Sequence, residues 1–560
     1  MVVAIKIAVF MMLSLTVRSV SITGDSLVKE KELRGAMLLR APHFFTKSRF
    51  HPEILNGDID ALRSVYMTQG FLEPLITSVH DVDSSGLVDI RIKINEGKQT
   101  FVKNVSFTGN SIFDTQQLKS QMKTRVGLPF NPFSLEDEYL RLISQYDQFG
   151  YHDARISADV NIMDGASIVF NVSEGEKIYI ADVTTEGIPP VDKSRLKTAI
   201  GLQSGSVLTN KKIAEARKRL YELDLFSRIR IREENTNIGR KLIFRLESKE
   251  PISLGLRIGY SALDGPKTTV TLGNNNFLHS LRRTTIIGKL SFRGQSAEIN
   301  YRNPITFGRW FENGIGLRME QRKEIGYKTR RYGGYVIVIP RPISLRYDLE
   351  RIRVFDVEAD TFIVEGIEWL RTLSLAFSRD TRDDPIRPGK GAFISSYTAF
   401  SGILPKATSN FIRNEFRYRV FYPAGYSTVV LRFDAGLAKP FSPTKRVPIH
   451  SRFFLGGATT VRGYGERVIG PKDRHNNPLG GEEYILFSSE IRLPIIWQFV
   501  GVIFVDVGAL ELDINISKFS LKSGVGSGIR LYTPLGPLRL DYARNLEGSG
   551  CFHFAIGEAF

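Results

Sequence analysis

The side chains of this chain that are placed to do chemistry are arginines and carboxylates. Arg432 and Asp434, Glu490 and Arg492, and Arg539 and Asp541 each stand two residues apart, a spacing that puts both members on one face of an extended strand. Carboxylates flanked by arginine in this way read as ion pairs. They do not read as an acid and base pair, whose two carboxyl groups need environments that push their pKa values apart. One further arginine, Arg462, sits in a glycine-rich segment, Phe454-Leu-Gly-Gly457-Ala-Thr-Thr-Val461-Arg462-Gly463-Tyr464-Gly465. The chain has no phosphate-binding G-x-x-x-x-G-K-[ST], no H-E-x-x-H and no G-x-S-x-G, and its eight histidines are scattered. Cys551 is the one cysteine, which excludes an intramolecular disulfide and a thiolate metal cluster. The expectation is therefore no enzymatic activity, no cofactor and no metal site.

What positions these groups is a long series of strands. From residue 251 to 560 the chain is short alternating segments separated by Gly, Pro, Asn and Asp turns. In Thr428 to Gly436, Val429, Leu431, Phe433 and Ala435 oppose Arg432 and Asp434. In Tyr484 to Leu493, Ile485, Phe487, Ile491 and Leu493 oppose Glu490 and Arg492. In Leu538 to Tyr542, Leu538, Leu540 and Tyr542 oppose Arg539 and Asp541. A soluble sandwich alternates too, with its apolar face inward. A closed barrel in lipid turns that face outward and keeps the polar face toward a lumen. The segment divides into ~16 strands at roughly 19 residues for each strand with its loop, enough for ~9 to 11 residues spanning a bilayer at a tilt. All three tryptophans, Trp310, Trp369 and Trp497, fall here, where interfacial girdles would need them.

The N-terminal end favours the lipid alternative. Lys6, the apolar run Ile7 to Val17 and small residues around Ser19 to Ser21 form the layout of an export leader, 1–20, with the mature chain expected to begin near Val20. The run is shorter than the ~20 residues of a spanning helix. The net charge of +17 would suit any polyanion, but the arginines recur singly along strand-like segments, so nucleic acid is not expected as a partner.

Between the leader and the strands one layout occurs three times. Its anchor is an aromatic near the end of an amphipathic helix: Tyr66-Met-Thr-Gln-Gly70-Phe71, Tyr146-Asp-Gln-Phe-Gly150-Tyr151 and Tyr221-Glu-Leu-Asp-Leu225-Phe226. Helical periodicity precedes each tyrosine, through Ile59, Leu62 and Val65, then Leu135, Tyr139, Leu142 and Ile143, then Ile213, Ala216 and Leu220. Ser134 and Thr209 are expected N-caps. Two alternating strands follow each helix, exemplified by Leu87 to Ile94, Ser167 to Val172 and Lys241 to Leu246, and end at Asn95-Glu96-Gly97, Ser173-Glu174-Gly175 and Glu247-Ser248-Lys249. A short strand reaching a glycine, Gly24, Gly109 or Gly187, opens each unit. The expected fold class is α+β repeats, three β-α-α-β-β units at 21–97, 98–176 and 177–250, followed by an all-β transmembrane barrel of ~16 antiparallel strands at 251–560. The third copy lacks Gly at 225, and the first carries an insertion near Arg40 to Phe50.

The repeat resembles the POTRA domain of outer-membrane polypeptide-transport proteins, which implies capture of client chains at an exposed sheet edge. Val461-Arg462-Gly463-Tyr464, with the preceding Gly456-Gly457 and the trailing Ile469-Gly-Pro-Lys472, resembles the VRG(F/Y) motif of the sixth extracellular loop in the BamA/TamA superfamily of outer-membrane assembly factors. Arg382-Asp383-Asp384, Phe504-Val-Asp506-Val-Gly508 and Pro534-Leu-Gly-Pro-Leu538 resemble further signatures of that superfamily, and in size the chain is similar to its TamA branch. The resemblance implies that the loop folds back into the lumen and that Arg462 meets carboxylates on the inner wall, here Glu490 and Asp506. It also implies insertion of unfolded outer-membrane proteins among outer-membrane lipids, with the repeats in the periplasm. Accessory lipoproteins or an inner-membrane-anchored partner are left open.

The seam between first and last strands is the second expected site. Leu254, Leu256, Ile258 and Tyr260 share one face, with Gly255 and Gly259 on the other, opposite Phe552, Phe554 and Ile556. Glycine packs little and costs backbone entropy, so this edge is expected to pair weakly with Cys551 to Phe560. Phe560 closes the chain as the terminal aromatic of a barrel insertion signal, with Glu558 departing from the apolar pattern. The alternatives are a two-partner secretion exporter and a passive pore.

Overall fold

The computed structural model describes residues 15–24, 27–41, 48–306, 309–358, 365–402, 405–496, 498–512, 520–533 and 536–556. It holds three small α+β repeats and one large antiparallel sheet. Two compact units emerge from the packing. One runs to Thr184 and includes 203–215 and 232–243; the other comprises 185–202, 216–231 and 244–560, so the third repeat contributes to both.

The first repeat contains β1 (Thr16–Gly24), α1 (Glu30–Ala36), α2 (Pro52–Thr68), β2 (Leu75–Val82) and β3 (Leu87–Asn95). The second contains β4 (Val102–Thr108), α3 (Thr115–Gln121), α4 (Ser134–Gln148), β5 (Arg155–Asn161) and β6 (Ala166–Ser173), and the third β7 (Ile180–Glu186), α5 (Lys193–Ile200), α6 (Asn210–Glu222), β8 (Phe226–Thr236) and β9 (Gly239–Ser248). In each sheet the opening strand lies beside the last, as β1-β3-β2, β4-β6-β5 and β7-β9-β8. The pairs β1 with β3 and β4 with β6 are parallel, so β3 and β6 are central and β2 and β5, like β1 and β4, are edges. The glycine that ends each opening strand is required by this closeness: a Cβ at Gly109 would stand 2.2 Å from the Val172 carbonyl oxygen, and one at Gly24 2.0 Å from that of Ile94.

The helices bury the faces that their periodicity marks. Leu62, Tyr66, Leu142, Tyr146, Ala216 and Leu220 are all fully buried. Tyr139 is an exception at 38 % exposed. Ser134 is another, because it is the first helical residue after Phe133 and its hydroxyl donates to the Asn131 carbonyl at 2.7 Å. Thr209 does cap, accepting from Lys212 N–H at 3.2 Å. The expected leader boundary is also corrected: β1 begins at Thr16, and Val17 and Val20 are core residues of the first repeat, so the first domain starts ahead of residue 20. Residues 1–14, and 42–47 of the expected insertion, lie outside the described residues.

The large sheet has sixteen antiparallel strands in chain order. They are β10 (Ile252–Ser261), β11 (Gly265–Phe277), β12 (Arg282–Ser291), β13 (Gly294–Thr306), β14 (Arg309–Lys323), β15 (Lys328–Ile339), β16 (Ile343–Phe355), β17 (Gly366–Asp380), β18 (Gly391–Ser401), β19 (Phe411–Ala424), β20 (Ser427–Pro440), β21 (Glu483–Ile496), β22 (Phe499–Glu511), β23 (Lys522–Thr533), β24 (Gly536–Asn545) and β25 (Gly550–Ile556). Sequential pairing is what short hairpins impose, and the sheet curls into a nearly closed barrel. Its burial is inverted relative to a soluble sandwich. Leu431, Phe433, Phe487, Ile491, Leu540 and Tyr542 are exposed, whereas Arg432, Asp434, Glu490, Arg492, Arg539 and Asp541 are buried. No described helix is long and apolar enough to cross a membrane. Trp369 points outward, 49 % exposed, while Trp497 and the Trp310 side chain lie outside what is described.

Candidate functional site

The 42 residues between β20 and β21, 441–482, fold back into the barrel lumen. Phe453 and Gly481 exchange two backbone hydrogen bonds at 2.9 Å, and Ile469 N–H donates to Leu455 at 3.1 Å, so the loop is a self-paired tongue. Gly456 and Gly457 take φ of +102° and +108°, a region that L side chains enter only with strain. The tongue contributes Val447, Ile449, Phe453, Leu455, Val461, Tyr464 and Ile469 to an apolar cluster with Tyr327 of the β14–β15 turn and the wall residues Ile352, Val354, Leu486 and Leu510. Arg467 adds an ion pair to Glu324 at 2.7 Å.

At its tip Arg462 is 1 % exposed. Its Nε and Nη2 donate to the two oxygens of Asp506 at 2.7 and 2.9 Å, its backbone N–H donates to Asp506 Oδ2 at 3.0 Å, and Nη1 donates to Glu490 Oε2 at 3.0 Å. The guanidinium carbon lies 3.3 Å from the centroid of Phe504. The planar fork of arginine uses two edges at once here, which the point charge of lysine cannot do. The structure thus brings Arg462, Glu490 and Asp506 together, keeps the Arg492 partner that the strand spacing gives Glu490, and adds Arg530, Arg539, His553 and Asn545, which sequence reasoning had not joined to them. Arg492 Nε donates to Glu490 at 2.8 Å, Arg530 bridges Glu490 and Asp541, and Arg539 Nη2 donates to the Ala458 carbonyl at 2.8 Å. His553 faces the lumen and accepts from Gly463 N–H at 3.5 Å. Asn545 Nδ2 donates to the Gly463 carbonyl at 3.2 Å.

The floor beneath this tip was missed by the sequence reading. Gly524, Gly526 and Gly528 alternate on the lumen face of β23, opposite Asp506, Phe504 and Val502 of β22. A Cβ on Gly524 would lie 1.7 Å from the Arg462 carbonyl oxygen. Three alternate glycines in one strand were the available signal, since such a face is where another backbone comes close. We expect Gly524→Ala to lift the tip off its carboxylates and to lower barrel stability by about 1 to 3 kcal/mol, the usual cost of overpacking. Gly259→Ala, on a lumen-facing site with nothing within 4 Å, is the matched control. Thermal unfolding of the two variants in detergent compares them, and equal melting would contradict the seat.

The seam groups are placed as follows. Leu254, Leu256 and Ile258 are 76, 66 and 56 % exposed on the outer face of β10, with Gly255 and Gly259 on the lumen side. Phe552 and Phe554 face outward from β25, and Ile556 is partly covered. Among the described residues β10 and β25 share no backbone ladder. The rings of Tyr260 and Phe554 meet across the seam, centroids 5.4 Å apart. Phe560 and Glu558 lie outside the described residues.

In the repeats, the aromatic-glycine anchor serves as a joint. Gly70 O accepts from Thr100 N–H at 2.8 Å and Gly150 O from Ile178 N–H at 2.9 Å, each at the start of the following repeat, while Leu225 O accepts from Lys249 N–H at 2.9 Å at the end of the third repeat itself. Where the third copy lacks glycine, Asp224 takes the left-handed turn at φ +56°. Glu174 of the Ser-Glu-Gly turn accepts from the backbone N–H of Ser111 and Ile112 at 2.8 and 2.9 Å and from the Tyr146 hydroxyl at 2.9 Å. Glu96 accepts from Leu27 N–H at 2.8 Å. These bonds tie the turn to the segment leaving the opening strand.

The joint after α4 carries a titratable group. Asp147 accepts from Asn210 N–H at 2.8 Å, and His152 lies 2.8 Å from Asp147 and 3.4 Å from Glu233. Arg240 pairs with Glu233 at 3.1 Å and with Asp153 at 2.5 Å. Glu233 first, then Asp147, raise the His152 pKa to about 9 against the opposing effect of burial. A pKa raised by folding stabilises fully below the unfolded value, about 6.5, and that contribution is lost as pH climbs through about 9. Proteolysis of the intact protein in the 203–210 segment should therefore accelerate across that window. The acceleration should be absent from His152→Gln, and identical pH profiles for the two proteins would refute the assignment.

Residues 271–560 match the Omp85 superfamily domain, and residues 15–97, 100–175 and 178–249 match the POTRA model, described as a surface antigen variable number repeat. The chain is 23 % identical over 567 residues to the outer membrane protein assembly factor BamA of Neorickettsia risticii, an alignment covering 95 % of this chain and 76 % of that one. It is 22 % identical over 601 residues to BamA of Nitratidesulfovibrio vulgaris, covering 98 % and 73 %. The fold is similar to the crystal structure of Haemophilus ducreyi BamA lacking POTRA domains 1–3, with a TM-score of 0.64 and 16 % identity over 82 % of this chain and 99 % of that one.

Proposed function

We propose that this chain, which belongs to the Omp85 superfamily, is an outer-membrane protein assembly factor that receives unfolded barrel proteins on its periplasmic repeats and inserts them through the seam of its own barrel. The chain resides in the outer membrane with its three POTRA repeats in the periplasm. One observation carries the mechanism: the first and last strands of a sixteen-stranded sheet are left without a ladder between them among the described residues. In hydrocarbon every backbone N–H and C=O must find a partner. An unladdered β10 edge is a template for a client strand, because its groups are satisfied as the client pairs with them.

No nucleotide is needed for such a step. The driving free energy is the client's own folding, released as its strands form hydrogen bonds where water is absent. The repeat edges β2 and β5 offer the same pairing chemistry before the membrane is reached, with Leu75 and Val79 exposed on β2. Accessory lipoproteins or an inner-membrane-anchored partner would dock on these repeats.

Depletion of the protein from its own cells tests this reading. Loss of many different barrel proteins from the outer membrane is the expected result. Loss of one secreted client alone would mark an exporter, and an unaltered membrane with a steady open conductance lost would mark a pore.

A further inference from the structure

On the outer face of β11 to β15 the side chains shrink at the centre. Val270, Gly288, Ala297, Met319 and Tyr332 face one another in register across five strands, and the small pair Gly288 and Ala297 leaves a groove of about 560 Å³. One step nearer the loop end, Leu290, Gln295, Gln321 and Arg330 form its upper wall.

Arg330 begins a cluster of positive charge. Arg353 is directly opposite it on β16, and Arg351 is directly opposite Tyr332, so the three guanidiniums start from neighbouring points of one face. The guanidinium carbons of Arg330 and Arg353 lie 5.8 and 5.6 Å from the centroid of the same ring, Phe355. Arg330 donates to the Gln321 side chain at 3.2 Å. Among the described residues none of the three arginines has a carboxylate within ion-pair distance. Asp356, at the same rim, is held by Lys328 at 2.6 Å, and Glu320, which also borders the groove, stands on the lumen-facing parity of β14. Arg351 also lies opposite the outward Trp369, and a row of Tyr332, Arg351 and Trp369 belongs at the headgroup level, where aromatic rings and charge are both accommodated.

We propose that this face binds one anionic membrane lipid, with an acyl chain in the Gly288–Ala297 groove and the phosphate on Arg330, Arg351 and Arg353. Guanidiniums facing lipid with no carboxylate partner among the described residues call for a negative headgroup, and a planar fork suits a phosphate. The groove supplies what a free anion would not use. This inference rests on the membrane reading of the barrel given above.

The test is native mass spectrometry of the full chain in detergent micelles with dimyristoyl phosphatidylglycerol or dimyristoyl phosphatidylcholine added. One phosphatidylglycerol should be retained and phosphatidylcholine not. R330Q/R351Q/R353Q should weaken retention by roughly a hundredfold, from the sum of three surface-charge contributions. Gly288→Leu should expel the lipid with every charge in place. A Cβ there meets nothing within 4 Å, so this variant keeps wild-type heat-modifiable migration on gels, as does the triple one. Equal retention of the two lipids, or unchanged phosphatidylglycerol binding in either variant, would overturn the site. A chain that stays dissolved without detergent would instead overturn the membrane reading itself.

Discussion

Replacing Arg462 with alanine should release the tongue from the lumen and leave a barrel that folds poorly and inserts no client. Glu490 and Asp506 are both 0 % exposed, so removing the guanidinium strands two carboxylates in a site that water does not reach freely. Breaking a buried pair in this way costs about 3 to 5 kcal/mol, because the abandoned charge stays desolvated. Arg492 and Arg530 remain within reach of Glu490 and soften the loss there. Described contacts offer Asp506 no such substitute, so most of the cost falls on it. Arg462→Lys should restore part of the stability and little of the insertion, since an ammonium cannot hold both carboxylates while its stem keeps the tip seated on Gly524. Thermal unfolding in detergent and a client insertion assay read the two effects separately. Wild-type insertion by Arg462→Ala would remove the tongue from the mechanism.

Closing the seam covalently should stop insertion without harming the fold. The pair Tyr260→Cys and Phe554→Cys, in a Cys551→Ser background, puts thiols where two rings touch at 5.4 Å. A bis-maleimide reagent then joins β10 to β25. Insertion should fall in proportion to the fraction of barrels crosslinked, while unreacted protein keeps wild-type activity. A structural role for the seam predicts the reverse order, with activity lost on mutation and indifferent to the reagent. Full activity after complete crosslinking would exclude lateral entry of the client.

Much of this was legible in the sequence for one reason: a strand's period of two reports which face each residue occupies. Arg432 with Asp434 and Glu490 with Arg492 announced a charged lumen, and the outward set Leu431, Phe433, Phe487 and Ile491 a lipid-facing wall. The Arg462 site was legible only through its motif, because alternation gives the face and leaves open which residues stand at one height around a barrel. That height depends on the stagger of every intervening strand. Hence Arg539 and Asp541 were read only as a local pair and Arg530 was not singled out, when all three belong to one network with Arg462, and Gly524 was not seen at all. The joints between repeats were hidden for a similar reason. Tyr66 to Phe71 reads as the end of a helix, and its hydrogen bond to Thr100 exists only once the next repeat is folded. The start of β1 escaped because an apolar run ahead of small residues serves an export leader and a parallel core strand equally well. Val17 and Val20 belong to that strand.

The most direct test of the central claim is reconstitution of the purified chain into liposomes, followed by addition of a urea-unfolded barrel client and measurement of its folded, protease-protected fraction with time. The account predicts faster insertion than into protein-free liposomes, with the increment lost in Arg462→Ala and in the crosslinked seam. Identical rates with and without the chain, in liposomes shown to contain it folded, would contradict it.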